Sequence, residues 1–236
     1  MISTANTHIA ASPARKTSRK GTVFGVPIVV ALFFFGMMMP TSVGVNLGSL
    51  RLSAYRIVLL VMFIPMLITL MSGKRGKPHL FDALAFGHAG LALLALINWG
   101  GLQQGIESGG IYIVEFVGSY LMGRLYIRSY EDFRALAQAY VMTVVVMLAF
   151  TIPEALTSVH ILHDGIASVT GGAPAPYIDQ RMGLERTFGP FDHPILYGVF
   201  SASAFSLAYF VLAEKRLTNW GGMSKVLGVA VATFLS

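Results

Sequence analysis

Long apolar runs separated by short polar segments make up most of this chain. Six of them approach the length of about 20 residues that a helix needs to cross a bilayer. They cover residues 21–39, 53–71, 81–99, 111–127, 136–152 and 195–213, and a further apolar run begins at Val226 and reaches Ser236. Because backbone polar groups in lipid must be satisfied within the protein, the pattern predicts an all-α fold. We expect a polytopic transmembrane helical bundle of six complete spans plus a partial seventh.

Local signals predict where several of these helices begin and end. Pro40 stops the first apolar run, and Pro153 is expected to end the helix that carries the fifth. Ser129 has Asp132 three residues later, which is a variant of the capping box. A new helix is therefore predicted to begin at Tyr130.

The spacing of the apolar runs also predicts the organisation of the chain. Residues 1–20 form a polar tail, and residues 21–236 form the bundle. The longest segment between spans is 153–191, which lies on the outer side. Within it, residues 154–171 can form a short interfacial helix, and 171–177, GGAPAPY, has the composition of a turn.

Basic residues are divided unevenly between the two predicted sides. With the N-terminus inside, thirteen lysines and arginines lie on the inner side and four on the outer side. The inner set is Arg15, Lys16, Arg19, Lys20, Lys74, Arg75, Lys77, Arg124, Arg128, Arg134, Lys215, Arg216 and Lys225, and the outer set is Arg51, Arg56, Arg181 and Arg186. The link 100–110, GGLQQGIESGG, has no basic residue. Since basic residues accumulate in cytoplasmic loops, this asymmetry predicts a cytoplasmic N-terminus.

The composition agrees with a membrane protein and argues against a soluble domain, a nucleic-acid-binding protein and any site built from cysteine. The chain is 55% hydrophobic and 12% charged, and its mean hydropathy is +0.67. A soluble domain carries about 25% charged residues. The net charge of +6 comes from topology signals, so we do not expect a nucleic-acid partner. The absence of cysteine excludes disulfides and thiolate metal sites.

Ionisable residues gather in the segment 181–198, RMGLERTFGPFDHPILYG. Its charged and imidazole side chains are Arg181, Glu185, Arg186, Asp192 and His193. Gly189 and Pro190 break any helix there, and a new hydrophobic run begins at Ile195. Such a cluster beside a membrane helix costs free energy unless it is paired or hydrated, which makes it a candidate functional site. The alternative is an ordinary extracytoplasmic loop whose charges are solvated.

Two further ionisable residues lie inside predicted spans at the same outer depth. Arg56 is near the outer end of the second span, and Glu115 lies about 6 Å inside the outer end of the fourth at 1.5 Å per residue. A bundle satisfies such residues by pairing them or by surrounding them with water. Arg56 and Glu115 are therefore either a structural ion pair or part of a polar cavity.

Other chemical patterns are weaker. His160, His163 and Asp164 have the spacing of side chains on one helix face, but no fourth ligand is evident and we predict no metal site. The single His88 inside the third span is either a packing residue or a functional one. No phosphate-binding lysine loop and no defensible Ser-His-Asp arrangement is found, and no cofactor is predicted.

The segment 186–198, RTFGPFDHPILYG, resembles the arginine–glycine–phenylalanine–proline motif of the O-antigen ligase and polymerase superfamily. These are bacterial membrane glycosyltransferases that act on undecaprenyl-pyrophosphate-linked glycans. Residues 47–67, LGSLRLSAYRIVLLVMFIPML, and 123–136, GRLYIRSYEDFRAL, resemble the exopolysaccharide-polymerase branch. The resemblance covers about residues 23–236, and its most specific positions are Arg186, Gly189, Phe191 and Pro194. His193 stands where many members have asparagine beside the proline.

The resemblance implies a metal-independent, inverting transfer on the outer face of the bacterial inner membrane. A hydroxyl of a glycan or lipid acceptor would attack the lipid-linked donor and release undecaprenyl pyrophosphate. The expected catalytic residues are Arg186, Asp192 and His193, and the expected substrate-binding residues are Arg181, Arg56 and Glu115. Arginine offers a planar fork of donors to phosphate oxygens, and an acid–histidine pair can move a proton.

The resemblance also bears on whether the chain is complete and on which other functions are possible. Family members need a large outer loop in a later half of the protein, so the 236-residue chain is expected to be incomplete and inactive alone. The alternatives are a polysaccharide or lipid transporter, which would hold a solute in the same outer cluster without chemistry, and a non-catalytic membrane subunit.

Overall fold

The computed structural model describes residues 22–23, 25–40, 43–47, 50–170, 180–181, 183–212 and 220–236. These residues are mostly helical, as predicted. The α-helices are α1 Ile28–Met37, α2 Ala54–Met71, α3 Leu80–Tyr126, α4 Tyr130–Thr157, α5 Ile161–Thr170, α6 Pro194–Ser206 and α7 Trp220–Leu235. A π-helix, Leu207–Leu212, continues α6. Antiparallel pairs join β1 Thr22–Val23 with β2 Val26–Pro27, β3 Gly44–Leu47 with β4 Leu50–Ser53, and β5 Gln180–Arg181 with β6 Leu184–Glu185.

Among the described residues, four helices are long and apolar enough to cross a membrane. They are α2, α3, α4, and α6 together with its π-helical continuation. Helix α1 is apolar but only 10 residues long, which is about 15 Å of helix against a hydrocarbon core of about 30 Å. The described part of α7 also falls among the shorter apolar helices. Membrane helices are thus confirmed, whereas the tail 1–20 and the turn 171–177 lie outside the described residues.

The prediction for 21–39 required a helix over the whole first apolar run. The structure shows a helix over only part of it. Strands β1 and β2 occupy its start, and the helix begins only at Ile28. Gly25 has φ +83° between the two strands, a conformation open to glycine. Pro27 is the N-cap of α1 and has no N–H to donate to an earlier helical turn.

Residues 100–110, predicted as a link between two spans, are helical except at one residue. Gly101, with φ 81° and ψ 173°, interrupts α3, and the chain reverses direction there. A Cβ built at Gly105 would lie 2.4 Å from the Cα of Ile97, so the two arms touch beside the turn. At the far end, the Nε of Arg124 lies 3.3 Å from a carboxylate oxygen of Asp82. Helix α3 is therefore a hairpin of two antiparallel arms, because a single glycine suffices for the reversal.

Two predicted helix starts are confirmed. Ser129 is the N-cap of α4, and the reciprocal hydrogen bonds with Asp132 complete a capping box. Helix α6 begins at Pro194, with His193 as its N-cap. The predicted stop at Pro153 is wrong, because α4 continues through it to Thr157. Proline is tolerated inside membrane helices when neighbouring groups satisfy the freed backbone.

The predicted interfacial helix over 154–171 forms in part. Residues up to Thr157 belong to α4, and Ser158 then takes a left-handed conformation with φ 58°. The separate helix α5 starts at Ile161. The result is a tight corner that brings α5 back against the C-terminal end of α4.

The helices form two packed halves, and α4 of the second half also contacts the first. The first half joins β2, α1, α2 and α3 around Val30, Leu59 and Leu121. The second half joins α4, α6 and α7 around Val144 and Tyr197. Helix α1 contacts α4, which connects the halves. A cleft lies between them at the end where α2 and α6 begin.

Candidate functional site

The cleft between the two halves has a volume of about 670 Å³. From the first half it is lined by Phe33, Met37, Tyr55, Arg56 and Glu115, and from the second by Tyr140, Pro190, Phe191, Asp192 and Phe200, among others. The charged groups therefore sit among aromatic and apolar side chains. This combination suits a ligand that has both an anionic and an apolar part.

An arginine–carboxylate pair with a tyrosine forms the charged wall of the cleft. The Nε of Arg56 donates to the Oε1 of Glu115 at 2.7 Å. The hydroxyl of Tyr55 donates to the same oxygen at 2.6 Å. The side chains of Arg56 and Glu115 are 26% and 33% exposed, so the pair is accessible from the cleft. We call these three residues the cleft triad.

Close packing of α1 on α2 places the cleft triad. Tyr55 and Arg56 lie in the first turn of α2, which follows β4 directly. A Cβ built at Gly36 of α1 would lie 2.7 Å from the backbone nitrogen of Tyr55. Only glycine permits this approach without a shift of the backbone.

The opposite wall is the loop between β6 and α6. Its Pro190, Phe191 and Asp192 line the cleft. Gly189 turns the loop with φ +51°, and a Cβ built there would lie 3.2 Å from a methyl carbon of Thr151 on α4. The loop is thus pressed against the C-terminal end of α4.

A buried histidine between two carboxylates holds this loop in place. The Nδ1 of His160 lies 2.5 Å from the Oε1 of Glu154, and its Nε2 lies 3.4 Å from the Oε1 of Glu185. The side chains of His160, Glu154 and Glu185 are 7%, 3% and 3% exposed. The backbone N–H of Phe188 also donates to Glu154 at 3.3 Å. We call His160, Glu154 and Glu185 the loop clamp.

The loop clamp favours the protonated form of its histidine. Burial alone would lower the pKa of His160. The hydrogen bond with Glu154 and the charges of Glu154, Glu185 and Asp164 outweigh burial and raise that pKa above its ordinary value. A positive imidazolium is therefore held between the acidic groups of α4 and β6, which stabilises the wall of the cleft.

His163 makes a second contact to the same loop. Its Nε2 donates to the backbone carbonyl of Phe191 at 3.1 Å, and its ring centre lies 4.9 Å from that of Phe188. Burial lowers the pKa of His163. Among the residues that the structure describes, no three histidine or acidic side chains are grouped to hold a metal ion. The two histidines of the 160–164 pattern support the loop instead.

The structure brings together only some of the residues predicted for the site. Arg56, Glu115 and Asp192 line one cleft. Arg186 does not line it, and its Nε donates to the backbone carbonyl of Ser236 at 3.2 Å. His193 is exposed and caps α6, where its Nδ1 accepts from the N–H of Ile195 at 3.2 Å. The side chain of Arg181 lies outside the described part of the chain.

Tyr55 and Glu154 are the site residues that sequence reasoning missed, whereas His160 and Glu185 were named without their partners. Tyr55 gave a signal in its position beside Arg56 at the start of an apolar helix. Glu154 gave a similar signal, since it is an acidic residue at the end of an apolar run. Neither signal identifies a partner, because Tyr55 finds Glu115 60 positions away and Glu154 meets His160 only across the corner after α4.

A second triad of a tyrosine, an arginine and a carboxylate lies at the opposite end of the bundle. The hydroxyl of Tyr120 donates to the Oδ1 of Asp82 at 2.5 Å, and the Nε of Arg124 donates to it at 3.3 Å. The backbone N–H of His79 donates to the other oxygen at 2.9 Å. The side chain of Asp82 is only 4% exposed. We call Asp82, Tyr120 and Arg124 the hairpin triad, because it joins the two arms of α3.

His88 also joins the arms of α3. Its Nε2 lies 2.8 Å from the hydroxyl of Tyr112, and its ring centre lies 5.0 Å from that of Phe116. Of the two roles considered for His88, these contacts favour packing.

No family model matches the chain, and no curated protein or solved structure matches it either. Across the described residues the protein is mostly helical, with four helices able to cross a membrane and a charged cleft between its two halves.

Proposed function

We propose that this chain belongs to a membrane glycosyltransferase that polymerises or ligates undecaprenyl-pyrophosphate-linked glycan on the outer face of the bacterial inner membrane. One observation carries the proposal. Arg56 and Glu115 from one half and Asp192 from the other line the same cleft of about 670 Å³. The motif resemblance at residues 186–198 supports the same class of reaction.

The proposed topology has six complete spans and a partial seventh, with the N-terminus in the cytoplasm. The antiparallel arms of α3 support two separate crossings, because residues 80–100 and 102–126 are each long enough to span a bilayer. The inner-side residues Lys77 and Arg124 meet at the end of the hairpin opposite its turn. In this proposed topology the cleft opens to the outer face.

Arg56 is the proposed contact for the donor pyrophosphate. Its guanidinium is paired with Glu115 and reaches the cleft, so a phosphate oxygen can share or replace the carboxylate as acceptor. The Tyr55 hydroxyl lies in the same wall and can donate to a second oxygen. Both donors would offset the negative charge that develops on the leaving pyrophosphate.

Asp192 is the proposed general base on the opposite wall. An acceptor hydroxyl attacks the anomeric carbon while its proton passes to the Asp192 carboxylate. The bond from the anomeric carbon to the pyrophosphate oxygen breaks, and the lipid pyrophosphate leaves. Attack from the side opposite the leaving group inverts the anomeric centre. His193 follows Asp192 directly and is proposed to assist this proton transfer.

The test uses the full-length gene product in proteoliposomes that contain a lipid-linked oligosaccharide. Mass spectrometry of the products measures whether new glycosidic bonds form. We expect transfer by the wild type and a loss of about a hundredfold or more in Asp192→Asn, since general-base catalysis contributes about 10²–10⁴-fold. Arg134→Lys, far from the cleft, serves as the control. Movement of glycan across the bilayer without new bonds would instead identify a transporter.

Arg186 is a competing candidate for the pyrophosphate contact. It precedes the glycine–proline turn, and its guanidinium is partly buried against the backbone of Ser236. If it binds phosphate in the transition state, Arg186→Lys should lose about ten- to two-hundredfold in transfer rate, because it loses the fork of donors. Arg186→Ala should lose more. Wild-type activity of the lysine variant at equal membrane abundance would leave Arg56 as the contact.

A further inference from the structure

A second polar cavity lies at the end of the bundle opposite the cleft. Its volume is about 680 Å³, and it is bounded by the β1–β2 pair, the segment after α2 and the connection between α3 and α4. Arg75 and Arg128 line it together with Tyr126, Ser129, Ile28 and Val29. Two arginines from different segments therefore face one concave surface with an apolar side.

Arg75 is held in a fixed orientation at this cavity. Its NH1 donates to the backbone carbonyl of Leu125 at 2.9 Å. Its guanidinium carbon lies 4.8 Å from the centre of the Tyr126 ring. A guanidinium fixed by one hydrogen bond and a ring contact still has N–H donors for a ligand, because arginine carries five.

Arg128 contributes a second positive charge at the rim. Its side chain is exposed, and across the part of the chain that the structure describes neither guanidinium has an ion-pair partner. Asp132 also lines the cavity but is buried. Its Oδ2 accepts from the backbone N–H groups of Arg128 and Ser129, both at 3.1 Å. This carboxylate is engaged in capping α4, and the cavity stays positive overall.

The depth of the cavity indicates what it meets. Helix α2 ends at Met71 and α4 begins at Tyr130. In a bilayer that these helices cross, the segments around the cavity would lie at the level of the lipid headgroups. Basic pockets between membrane helices bind anionic headgroups. Ile28 and Val29 offer an apolar surface for the part of a lipid below its phosphate. We propose that this cavity binds the phosphate of an anionic membrane lipid; the inference is independent of the transfer reaction.

The test measures lipid binding to the purified chain in zwitterionic detergent by native mass spectrometry. Phosphatidylglycerol is titrated against phosphatidylcholine, with inorganic phosphate as a competitor. We expect selective binding of phosphatidylglycerol, and about tenfold weaker binding in Arg128→Gln, which is the loss of one charge-assisted hydrogen bond. Arg128 is the safest position to change, because its exposed side chain supports no other element.

Arg134→Gln is the matched control, since it removes an equal charge from α4 but does not line the cavity. Arg75→Lys is a second variant that keeps the charge and loses the planar fork, and it should also bind more weakly. Equal binding by wild type and Arg128→Gln, or an equal loss in Arg134→Gln, would overturn the site. Displacement of phosphatidylglycerol by an equal concentration of inorganic phosphate would overturn a lipid as the ligand.

Discussion

The cleft triad and the hairpin triad contain the same chemical groups in different surroundings. Each has a tyrosine hydroxyl and an arginine Nε that donate to a single carboxylate oxygen. In the hairpin triad the carboxylate is buried and its second oxygen accepts from the backbone of His79. In the cleft triad about a third of the Glu115 side chain is exposed to a cavity. The same three chemical groups thus fasten two helix arms in one place and line a candidate binding site in the other.

The comparison teaches that pairing alone does not separate a structural group from a functional one. Breaking a buried pair leaves an uncompensated charge and costs stability. Breaking a solvent-accessible pair costs little, because water and ions replace the partner. The accessible triad is therefore free to exchange its partner for a ligand, and the buried one is not.

The largest effect is expected from removing the hairpin arginine. Arg124→Ala leaves the Asp82 carboxylate buried, so the free energy of unfolding should fall by about 3–5 kcal/mol. Arg56→Ala should lower it by only about 1 kcal/mol or less, because its pair is partly hydrated. Denaturant titration of both variants in the same detergent measures the difference. Equal losses would mean that the two triads have the same role.

The second prediction concerns function, for which a change in the cleft triad should have a larger effect than the same change in the hairpin triad. Arg56→Lys keeps the charge and loses the fork, so transfer or donor binding should fall about ten- to hundredfold. Arg124→Lys should change it less than about threefold at equal folded abundance, because a structural pair makes no contact to substrate. The assay compares binding of an isoprenyl pyrophosphate to both variants. Unchanged binding in Arg56→Lys would separate the cleft triad from the substrate.

A third prediction concerns the packing that places the cleft triad. Gly36→Ala puts a methyl group against the backbone of Tyr55, so it should cost about 1–3 kcal/mol of stability through overpacking. It should also weaken ligand binding, since Tyr55 and Arg56 are displaced together. Gly87→Ala is the control, because a Cβ built there meets no atom within 4 Å. Equal stability of both variants would show that α1 can move away from α2 at little cost.

The smallest effect is expected from the loop clamp, and it depends on pH. The raised pKa of His160 means that its stabilisation is complete below the unfolded pKa of about 6.5 and is lost as pH rises through the folded pKa. The lowered pKa of His163 has the opposite sign, so its stabilisation is lost as pH falls below about 6.5. Both changes in stability can be measured as shifts of the unfolding midpoint between about pH 5 and 9.

Two variants separate the contributions of these histidines. In His160→Gln the decline in stability above the unfolded pKa should disappear, and in His163→Gln the decline at acidic pH should weaken. Glu115→Gln leaves the loop clamp intact and should keep both slopes. An alkaline decline that persists in His160→Gln would assign it to another group. The contrast between the two ends of the bundle would sharpen if the loss of stability at alkaline pH comes only from the loop clamp beside the cleft.

The sequence by itself determined the helical class and several element boundaries. Apolar runs of about 20 residues predict membrane helices because only satisfied backbone is stable in lipid. The start of α4 at Tyr130 followed from local capping chemistry, which acts within three or four residues. Helix α6 begins at Pro194, one residue before the predicted start of the sixth span. Local interactions of this range are legible in a linear sequence.

Tertiary structure decided how the polar groups are used. The single reversal at Gly101 turned the predicted link into helix, and Pro153 was absorbed into α4. Arg56 finds Glu115 59 positions away, and the clamp joins residues of α4, β6 and the corner between α4 and α5. A carboxylate that pairs with an arginine and a tyrosine is buried at one end of the bundle and accessible at the other. Its burial depends on how the two halves pack, which no local pattern encodes.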